Sequence, residues 1–341
     1  MSIIPQAALS EEVIEPPLPT KTPSGKNKPA WMSLNFGSRM VVALAIIVTI
    51  ALLAFLGPYI YPYGPGEKIG SLYDAPSAAH LLGTDNFGHD VIAVLMYSAR
   101  NSLLNGLMAG TLALFIGVAI GILAGYIGGW VEEALMGFTN IVVAIPNIII
   151  LILISMALQK TDIAFFKGIG GLAFVIGITA WPWTARAVRA QASSVATREH
   201  IDIAKLSGAR TLSILIRDVL PYLASYVVMA WVLQLASAIL AESTLSMLGL
   251  GPSGVDSLGM QLHWALAFQA VATGSWWAFL PPTIILTLIS FSLLYLQASL
   301  DEVFNPRLRR GKKKDLAKAA ARRAEAARQL AEQNTKVEVL S

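Results

Sequence analysis

The stretch REHIDIAKLSGARTLSILIRDVLP, residues 198–221, lies between two long apolar runs and carries charges that a membrane interior tolerates poorly. Its first half, from His200 to Ser207, has the composition of a short helix, and Gly208 suits the left-handed position that commonly ends one. Apolar side chains then recur at helical spacing at Leu212, Leu215, Ile216 and Val219. Pro221 is typical of the first turn of a helix. We therefore predict a short helix, a tight turn and a second amphipathic helix outside the membrane.

Periodicity leaves the role of this stretch open. A compact helical elbow suits docking into a groove of another protein. An amphipathic helix of the same composition also suits the inner membrane surface. The spacing of the apolar residues favours neither role over the other.

The composition is that of a polytopic membrane protein. The 341 residues are 55% hydrophobic and only 13% charged, with a mean hydropathy of +0.62, whereas soluble domains carry roughly 25% charged residues. The absence of cysteine excludes disulfides, thiolate zinc sites and a cysteine nucleophile. The net charge of +4 lies largely in the tails, which favours cytoplasmic membrane flanks over nucleic acid as a partner.

Six apolar runs are each long enough to cross a hydrocarbon core of about 30 Å. They predict an all-α integral membrane protein with spans at 40–60, 102–127, 135–158, 169–188, 222–250 and 277–300. Residues 1–38, rich in proline and acids, predict a disordered cytoplasmic tail. Residues 39–310 form the predicted transmembrane domain, including the polar loop 190–221. Residues 311–341 predict a charged cytoplasmic helix or tail.

Basic residues predict the orientation, because short cytoplasmic loops are enriched in Lys and Arg. The clusters precede the first span, fill the loop after the fourth and follow the sixth: Lys21, Lys26, Lys28 and Arg39; Arg186, Arg189, Arg198, Lys205, Arg210 and Arg217; Arg307, Arg309, Arg310 and Lys312 to Lys314. Both termini and the loop 190–221 are therefore expected on the cytoplasmic side of a cell membrane.

Glycines and prolines mark the predicted spans. Glycines recur in helical register at Gly106, Gly110, Gly117, Gly121 and Gly125. Small residues on one face let membrane helices approach closely, within the chain or against a partner. Four prolines predict kinks or unwound turns: Pro146, Pro182, Pro281 and Pro282.

The polar stretch resembles the EAA motif of ABC importer permeases. Asp202 stands at the acidic position, Ile203 and Ala204 at the two alanines, and Gly208 at the glycine, with Leu220-Pro221 at the end. Asp202 departs from the usual Glu and Ile203 from the usual Ala. Asp218 stands where Ile or His is usual.

Four further stretches are similar to the dipeptide/oligopeptide permeases, specifically their C-type subunit. They are HLLGTDNFGHDV at 80–91, AWPWTARAVRAQ at 180–191, AILAESTLSMLGLG at 238–251 and FNPRLRR at 304–310. His89 replaces the usual Arg of the first. The ordered matches cover about residues 40–310 and leave the tails outside the resemblance.

The resemblance implies a type I ABC importer permease fold with a cytoplasmic coupling helix. The ATPase-coupling residues would be Asp202, Ile203, Ala204, Leu206, Gly208 and Ala209. The implied partners are a second, homologous permease, two ATP-binding subunits, an extracytoplasmic solute-binding protein and membrane lipid. The partner ATPases would bind ATP and Mg²⁺. This chain carries no G-x-x-x-x-G-K-[ST] loop, so we expect no cofactor, no metal and no enzymatic activity of its own.

Function within the resemblance stays open at the substrate. A dipeptide or oligopeptide is expected, with an oligosaccharide or nickel as the alternative. A self-contained channel or secondary transporter is a rival, but the sequence shows no clear internal repeat. An intramembrane enzyme is a second rival, but the four histidines form no H-E-x-x-H pair.

Glu242 is the main polar intrusion within a predicted span, and an intramembrane acid is a functional candidate by default. Together with Gln234 and Ser237 it is a candidate for the translocation path or an outer gate. The alternative is a buried acid that ties neighbouring helices together, and the sequence favours neither.

Overall fold

The fold was analysed in a computed structural model, which describes residues 38–161 and 163–304 and the isolated positions 321, 322 and 325. Eleven α-helices run through the described part of the chain: α1 Ser38–Ile60, α2 Val91–Ile127, α3 Gly129–Ala144, α4 Asn147–Gln159, α5 Ala164–Lys167, α6 Ile169–Ala196, α7 Glu199–Leu206, α8 Thr211–Ile214, α9 Leu220–Leu245, α10 Leu258–Ala267 and α11 Trp276–Phe304. Two π-helical turns, Leu215–Val219 and Ser246–Leu250, flank α9. Extended pairing in the described part is limited to two isolated bridges, Lys68 with His89 and Thr84 with Asp90.

The predicted tails fall almost entirely outside this range. Of the predicted segment 1–38 only Ser38 is described, and of 311–341 only the helical positions 321, 322 and 325. The predictions of a disordered first tail and a helical last tail therefore stay predictions.

Four helical segments of the described chain are long and apolar enough to cross a membrane. They are α1, α2, the continuous run Thr211–Leu250 and α11, and the bent pair α3–α4 makes a fifth if it is one span. The predicted span 169–188 is helical within α6, but α6 is not among these segments on length and composition.

The second predicted span begins earlier than the sequence indicated. We predicted 102–127, and α2 begins at Val91 and runs for 37 residues. Asp90 sits at the N-cap, where its side chain accepts hydrogen bonds from the backbone N–H groups of Ile92 and Ala93. At 1.5 Å per residue the helix is about 55 Å long, so it extends beyond the hydrocarbon core.

The third predicted span, 135–158, is not one straight helix. α3 and α4 meet at 82°. Ile145 at the joint has φ −93° and ψ 128°, because a residue before proline is pushed out of the helical region. Pro146 then caps α4. The predicted break at Pro146 is confirmed, whereas Pro182, Pro281 and Pro282 lie inside continuous helices.

The prediction that a new helix starts at Pro221 is wrong. The second half of the polar stretch does not form a separate helix, because the backbone stays helical from α8 through the π turn Leu215–Val219 into α9. The ring of Pro221 would clash with the carbonyl of Arg217 in a regular α-helix. The wider π turn directly before α9 accommodates it.

The glycine row of α2 packs inside the chain. The glycines nearer the start of α2 face α9, since a Cβ on Gly106 would lie 2.2 Å from Cγ1 of Ile239. Those nearer the end of α2 face α6, since a Cβ on Gly117 would lie 2.6 Å from Cβ of Thr184. From Gly117 to Gly121 the contact moves from Thr184 to Val188, so α2 is parallel to α6. From Gly106 to Gly110 it moves from Ile239 back to Gln234, so α2 is antiparallel to α9. This confirms close packing within the chain as one of the two roles expected for the glycines.

The bundle has two ends, which we call the α7 end and the α10 end. The α7 end holds the start of α1, the α2–α3 junction, α7 and the end of α11, where Arg39 Nη1 lies 3.2 Å from Glu302 Oε1. The α10 end holds the loop 61–90, the loop 251–257 and α10. Trp277 Nε1 donates to the carbonyl of Thr84 there, at 3.1 Å.

Substitution of Gly121 tests the α2–α6 contact. A Cβ at Gly121 would lie 2.7 Å from the carbonyl oxygen of Ala185 and 2.7 Å from Cβ of Val188. We expect Gly121→Ala to lower the free energy of unfolding by about 1–3 kcal/mol, because neither neighbour is the end of a flexible side chain. The measurement is the Tm of the purified protein in detergent.

Gly137→Ala is the matched control, because a Cβ there meets nothing within 4 Å in the middle of α3. Alanine is favoured over glycine in a helix by about 1 kcal/mol, so the Tm should hold or rise. Equal effects at the two positions would contradict the packing argument.

Candidate functional site

The helix α7 is fastened to the bundle by one buried side chain. Ile201 is fully buried. It belongs to an apolar cluster built from α2, α6, the π turn and α9, with Ile122, Val188, Val195, Val219 and Leu223 among its members. Burial of an isoleucine side chain is worth about 1.5–3 kcal/mol. Ile201 therefore joins α7 to an apolar cluster that includes residues of three long helices.

Two tyrosines add polar and aromatic contacts to this attachment. The guanidinium of Arg198 lies 5.2 Å from the ring centre of Tyr222, and His200 stacks on the same ring with centroids 4.7 Å apart. The ammonium of Lys205 lies 5.6 Å from the ring centre of Tyr126, at the end of α2. Cation–π contacts at exposed sites contribute about 0.5–1 kcal/mol each.

The turn after α7 has the predicted geometry. Gly208 has φ +75°, a conformation that costs other residues about 1–2 kcal/mol. Its N–H donates to the carbonyl of Lys205 at 3.0 Å, and the N–H of Ala209 donates to that of Ala204 at 3.2 Å. This pair of bonds is the Schellman arrangement. A Cβ on Gly208 would meet nothing within 4 Å, so the turn faces open space.

Apolar side chains on the outer side of this region have no partner in the described chain. Leu206 is 88% exposed and Ile203 is 63% exposed. Leu212 and Ile216 are also exposed, and so are Asp202 and Ala209, while Ala204 is half-buried. Lys205 Nζ lies 3.4 Å from Asp202 Oδ1. The predicted coupling residues therefore form one outward knob, with only Ala204 turned toward the bundle.

Gln234 and Ser237 line a cavity of about 440 Å³ beside the α3–α4 bend. The lining comes from four helices and is uncharged: Val142, Val143, Ile145, Pro146, Asn147, Thr179, Ala180, Pro182, Trp183, Leu233, Gln234 and Ser237. We call this cavity the central groove. Nε2 of Gln234 donates to the carbonyl of Ala180 at 3.0 Å, within α6. Ser237 is exposed to the groove side of α9.

Glu242 does not line the central groove. It is 1% exposed and its carboxylate accepts hydrogen bonds from serine hydroxyls. Ser102 Oγ of α2 donates to Oε2 at 2.9 Å, Ser246 Oγ to Oε1 at 2.6 Å and Ser243 Oγ to Oε2 at 3.3 Å. Ser102 in turn accepts from the N–H of Leu258, the first residue of α10, at 3.1 Å. The geometry thus joins α2, α9 and α10 through this acid.

Sequence reasoning missed a polar connection between α3 and α6. Arg189 pairs with Glu132, and Nη2 of Arg186 donates to Oδ1 of Asn140 at 2.8 Å. These four side chains line an open cavity of about 700 Å³ near the α7 end. In the sequence these arginines served only to predict orientation, and no sequence signal pairs them with an acid and an amide some fifty positions away.

Residues 117–310 match the family described as "Binding-protein-dependent transport system inner membrane component". The chain is similar to the dipeptide transport system permease protein DppC of Bacillus subtilis (strain 168), with 29% identity over 82% of this chain and 86% of that protein. It is also similar to the oligopeptide transport system permease protein OppC of Lactococcus lactis subsp. cremoris (strain SK11), with 32% identity over 77% and 90%.

A solved structure also shows a limited likeness. It is described as "Inward facing conformations of the MetNI methionine ABC transporter" and aligns with a TM-score of 0.47 and 20% sequence identity. The alignment covers 61% of this chain and 96% of that one.

Removal of the Glu242 carboxylate tests its structural role. Glu242→Ala leaves the hydroxyls of Ser102 and Ser246 without their acceptor in a buried site, and each unmade hydrogen bond costs about 1–3 kcal/mol. We expect a clear drop in Tm and in the yield of assembled protein. Glu242→Gln keeps an acceptor oxygen at the same place and should recover most of both.

Uptake measured beside the Tm separates the two roles of Glu242. A loss of uptake in proportion to the loss of folded protein supports the structural role. Full stability of Glu242→Gln with abolished uptake would instead require a charge that acts during transport.

Proposed function

Because the chain belongs to the family of binding-protein-dependent transport system inner membrane components, we propose that it is the membrane-spanning permease subunit of an ATP-driven importer of peptides. It would form half of the translocation path. ATP and Mg²⁺ would be bound by partner subunits, since the sequence lacks a phosphate-binding G-x-x-x-x-G-K-[ST] loop. The chain itself would carry no cofactor and catalyse no reaction.

The knob formed by α7 and its turn is the observation that carries this proposal. Its inner face places Ile201 in an apolar cluster with residues of α2, α6 and α9, and its outer face exposes Leu206 and Ile203. A groove on an ATPase subunit would cover that outer face. Motion of the ATPase would then reach the long helices through the buried anchor.

A membrane surface is the competing partner for the same knob. Asp202 and Glu199 lie on α7 beside the exposed Leu206, whereas helices that lie on membranes concentrate Lys and Arg on their polar face. The mixed charges favour a protein groove.

We propose six crossings, with the α7 end in the cytoplasm. α6 would be the remaining crossing, because it lies parallel to α2 and packs against the α2 residues Gly117 and Gly121. α3 and α4 would together make one bent crossing. The basic residues of the loop 190–221 lie at the α7 end, as the positive-inside rule requires.

The central groove is the proposed translocation path. It combines a broken helix, the buried amide of Gln234, the exposed hydroxyl of Ser237 and a volume that fits a small peptide segment. Irregular backbone at membrane depth is tolerated only where it is buried in protein or lines a water-filled cavity. A second, homologous permease would close the open side of the groove, and an extracytoplasmic binding protein would deliver the substrate at the α10 end.

Peptide is the proposed substrate class because the similar proteins are a dipeptide permease and an oligopeptide permease. A self-contained channel needs no docking knob. Copurification therefore provides a direct test: an affinity-tagged chain should bring down stoichiometric ATPase subunits when expressed with its genomic neighbours.

Single cysteines test the proposed orientation, since the chain has no cysteine of its own. Ser77 and Ser253 are exposed at the α10 end and Ser194 is exposed near the α7 end. In intact cells a membrane-impermeant thiol reagent should label cysteine at 77 and 253 but not at 194. Labelling at 194 before cell rupture would reverse the orientation.

Gly208→Val tests the coupling knob. Valine disfavours φ +75° and projects into the space that a partner would fill. A central interface position is worth about 2 kcal/mol, or roughly thirtyfold in affinity. We expect normal insertion, collapsed uptake, and either lost ATPase binding or hydrolysis that no longer responds to the loaded binding protein.

Gly274→Val is the matched control for this change. Gly274 has φ +73°, and a Cβ there also meets nothing within 4 Å, but it lies in the loop between α10 and α11. Gly274→Val imposes the same backbone strain at the α10 end of the molecule and should leave ATPase binding intact. Normal transport by Gly208→Val would remove the knob from the coupling mechanism.

A further inference from the structure

A second cavity lies at the α10 end, away from the central groove. It has a volume of about 100 Å³ and is formed between the loop that precedes α2 and the segment that contains α10. Its polar and aromatic lining consists of Asp85, Asn86, Phe87, His89, Asp256 and Trp264, with Gln261 beside them. We call it the loop cavity.

The loop cavity holds two carboxylates and one basic side chain. Oδ1 of Asp85 accepts from the N–H groups of Phe87 and His89 at 2.8 and 2.9 Å, and its Oδ2 lies 3.3 Å from Nδ1 of His89. Asp256 has no hydrogen-bond donor to its carboxylate among the described residues. Burial raises the pKa of Asp256, and Asp85 raises it further while His89 opposes the rise. The cavity is therefore short of positive charge.

Asn86 supplies an unused donor at the same cavity. It is only 7% exposed, and its Nδ2 has no acceptor in the described part of the chain. Buried amide groups are normally hydrogen-bonded. This donor is available to an occupant that brings an acceptor oxygen to the cavity.

The rings of Phe87 and Trp264 also line the loop cavity. Phe87 meets Trp264 edge-on with centroids 5.4 Å apart, and Phe268 stands 5.7 Å from Phe87. Ring faces attract cations, and ammonium ligands bind in such settings. The carboxylates and the rings therefore favour the same occupant, an organic cation.

We propose that the loop cavity binds the amino terminus of a peptide on its way to the translocation path. The α-ammonium would lie between Asp85 and Asp256, and the first carbonyl would accept from Nδ2 of Asn86. A volume of about 100 Å³ is on the order of three water molecules, so it takes this end group and leaves the rest of the peptide outside. The proposal rests on the peptide substrate and the outward α10 end proposed above.

Two other occupants fit the cavity less well. A metal ion would need more ligands, since the described residues contain no group of three or more His, Asp or Glu side chains arranged for one. A lysine side chain of the binding protein would satisfy the carboxylates, but it carries no carbonyl next to its ammonium for Asn86. The lysine is therefore an alternative that the test must separate.

Thiol protection in the assembled transporter without binding protein provides the test. Gln261→Cys places one thiol at the cavity wall of a chain that otherwise has none, and Ala265→Cys is a second position if the first fails to fold. The reaction rate is measured with a trimethylammonium methanethiosulfonate and a sulfonate analogue. We expect the ratio of the cationic to the anionic rate to exceed the ratio for a small free thiol at least about tenfold, since two carboxylates attract the cation.

Protection by small ligands identifies the occupant. Millimolar dialanine should slow the cationic reagent at least about threefold, whereas N-acetyl-dialanine should not. Asp256→Asn should reduce both the charge preference and the protection. Asn86→Ala should reduce protection by dialanine but not by ethylammonium.

Glu67→Gln is the matched control. It removes an acid from the same loop, where Glu67 accepts from the N–H of Gly64 at 3.2 Å outside the cavity, and should change neither rate. A rate ratio equal to that of the free thiol, or equal protection by N-acetyl-dialanine, would overturn the proposal. Protection by substrate-free binding protein alone would also overturn it and assign the cavity to a lysine of that protein.

Uptake by the same transporter in vesicles, measured after the binding protein is added back, keeps this outcome separate from the broader proposal. Normal ATP-driven peptide uptake with no protection would remove the loop cavity site and leave the importer function standing. Absence of any ATP-driven uptake by the unaltered complex would contradict the importer function itself.

Discussion

The close approach of α2 to α6 and α9 is the constraint on which the rest of the structure depends. Lipid tails are as apolar as leucine, so membrane helices gain little from burying apolar surface and are held by van der Waals contact and hydrogen bonds. Glycines along α2 allow backbone carbonyls such as that of Ala185 to come where a Cβ would sit at Gly121. The remaining helices are arranged around this trio. Toward the α10 end of the same contact, the Glu242 carboxylate of α9 bonds Ser102 of α2, which in turn bonds the first residue of α10.

The attachment of α7 differs in kind from the packing of the long helices. It relies on one buried isoleucine, Ile201, and on cations over Tyr126 and Tyr222. These contacts hold the short helix against three long ones at once. Its outer surface is exposed, and two backbone hydrogen bonds fix the turn at Gly208 beside it.

Sequence patterns predicted what depends on local chemistry. The turn at Gly208, the break at Pro146 and the small-residue contact face of α2 all follow from single residue types, and the structure has each of them. Boundaries that depend on tertiary context were missed. The first turns of α2 begin at the Asp90 cap and are separated from the predicted span by Arg100 and Asn101, and helical backbone passes through Pro221 because a π turn precedes it. Pairings such as Arg189 with Glu132 join residues far apart in sequence and required the fold.

If the central groove is the translocation path, its lining bears on how long a solute stays there. Its lining contains no charged side chain; polar contact comes from Gln234, Ser237, Asn147 and the bent backbone at Ile145. Neutral dipoles hold a charged solute far less strongly than a fixed opposite charge does in a low-dielectric setting. Along the proposed path a solute would therefore meet no deep energy well, and its residence time would be short. Turnover would then be limited by how often the helices reopen rather than by the release of the cargo.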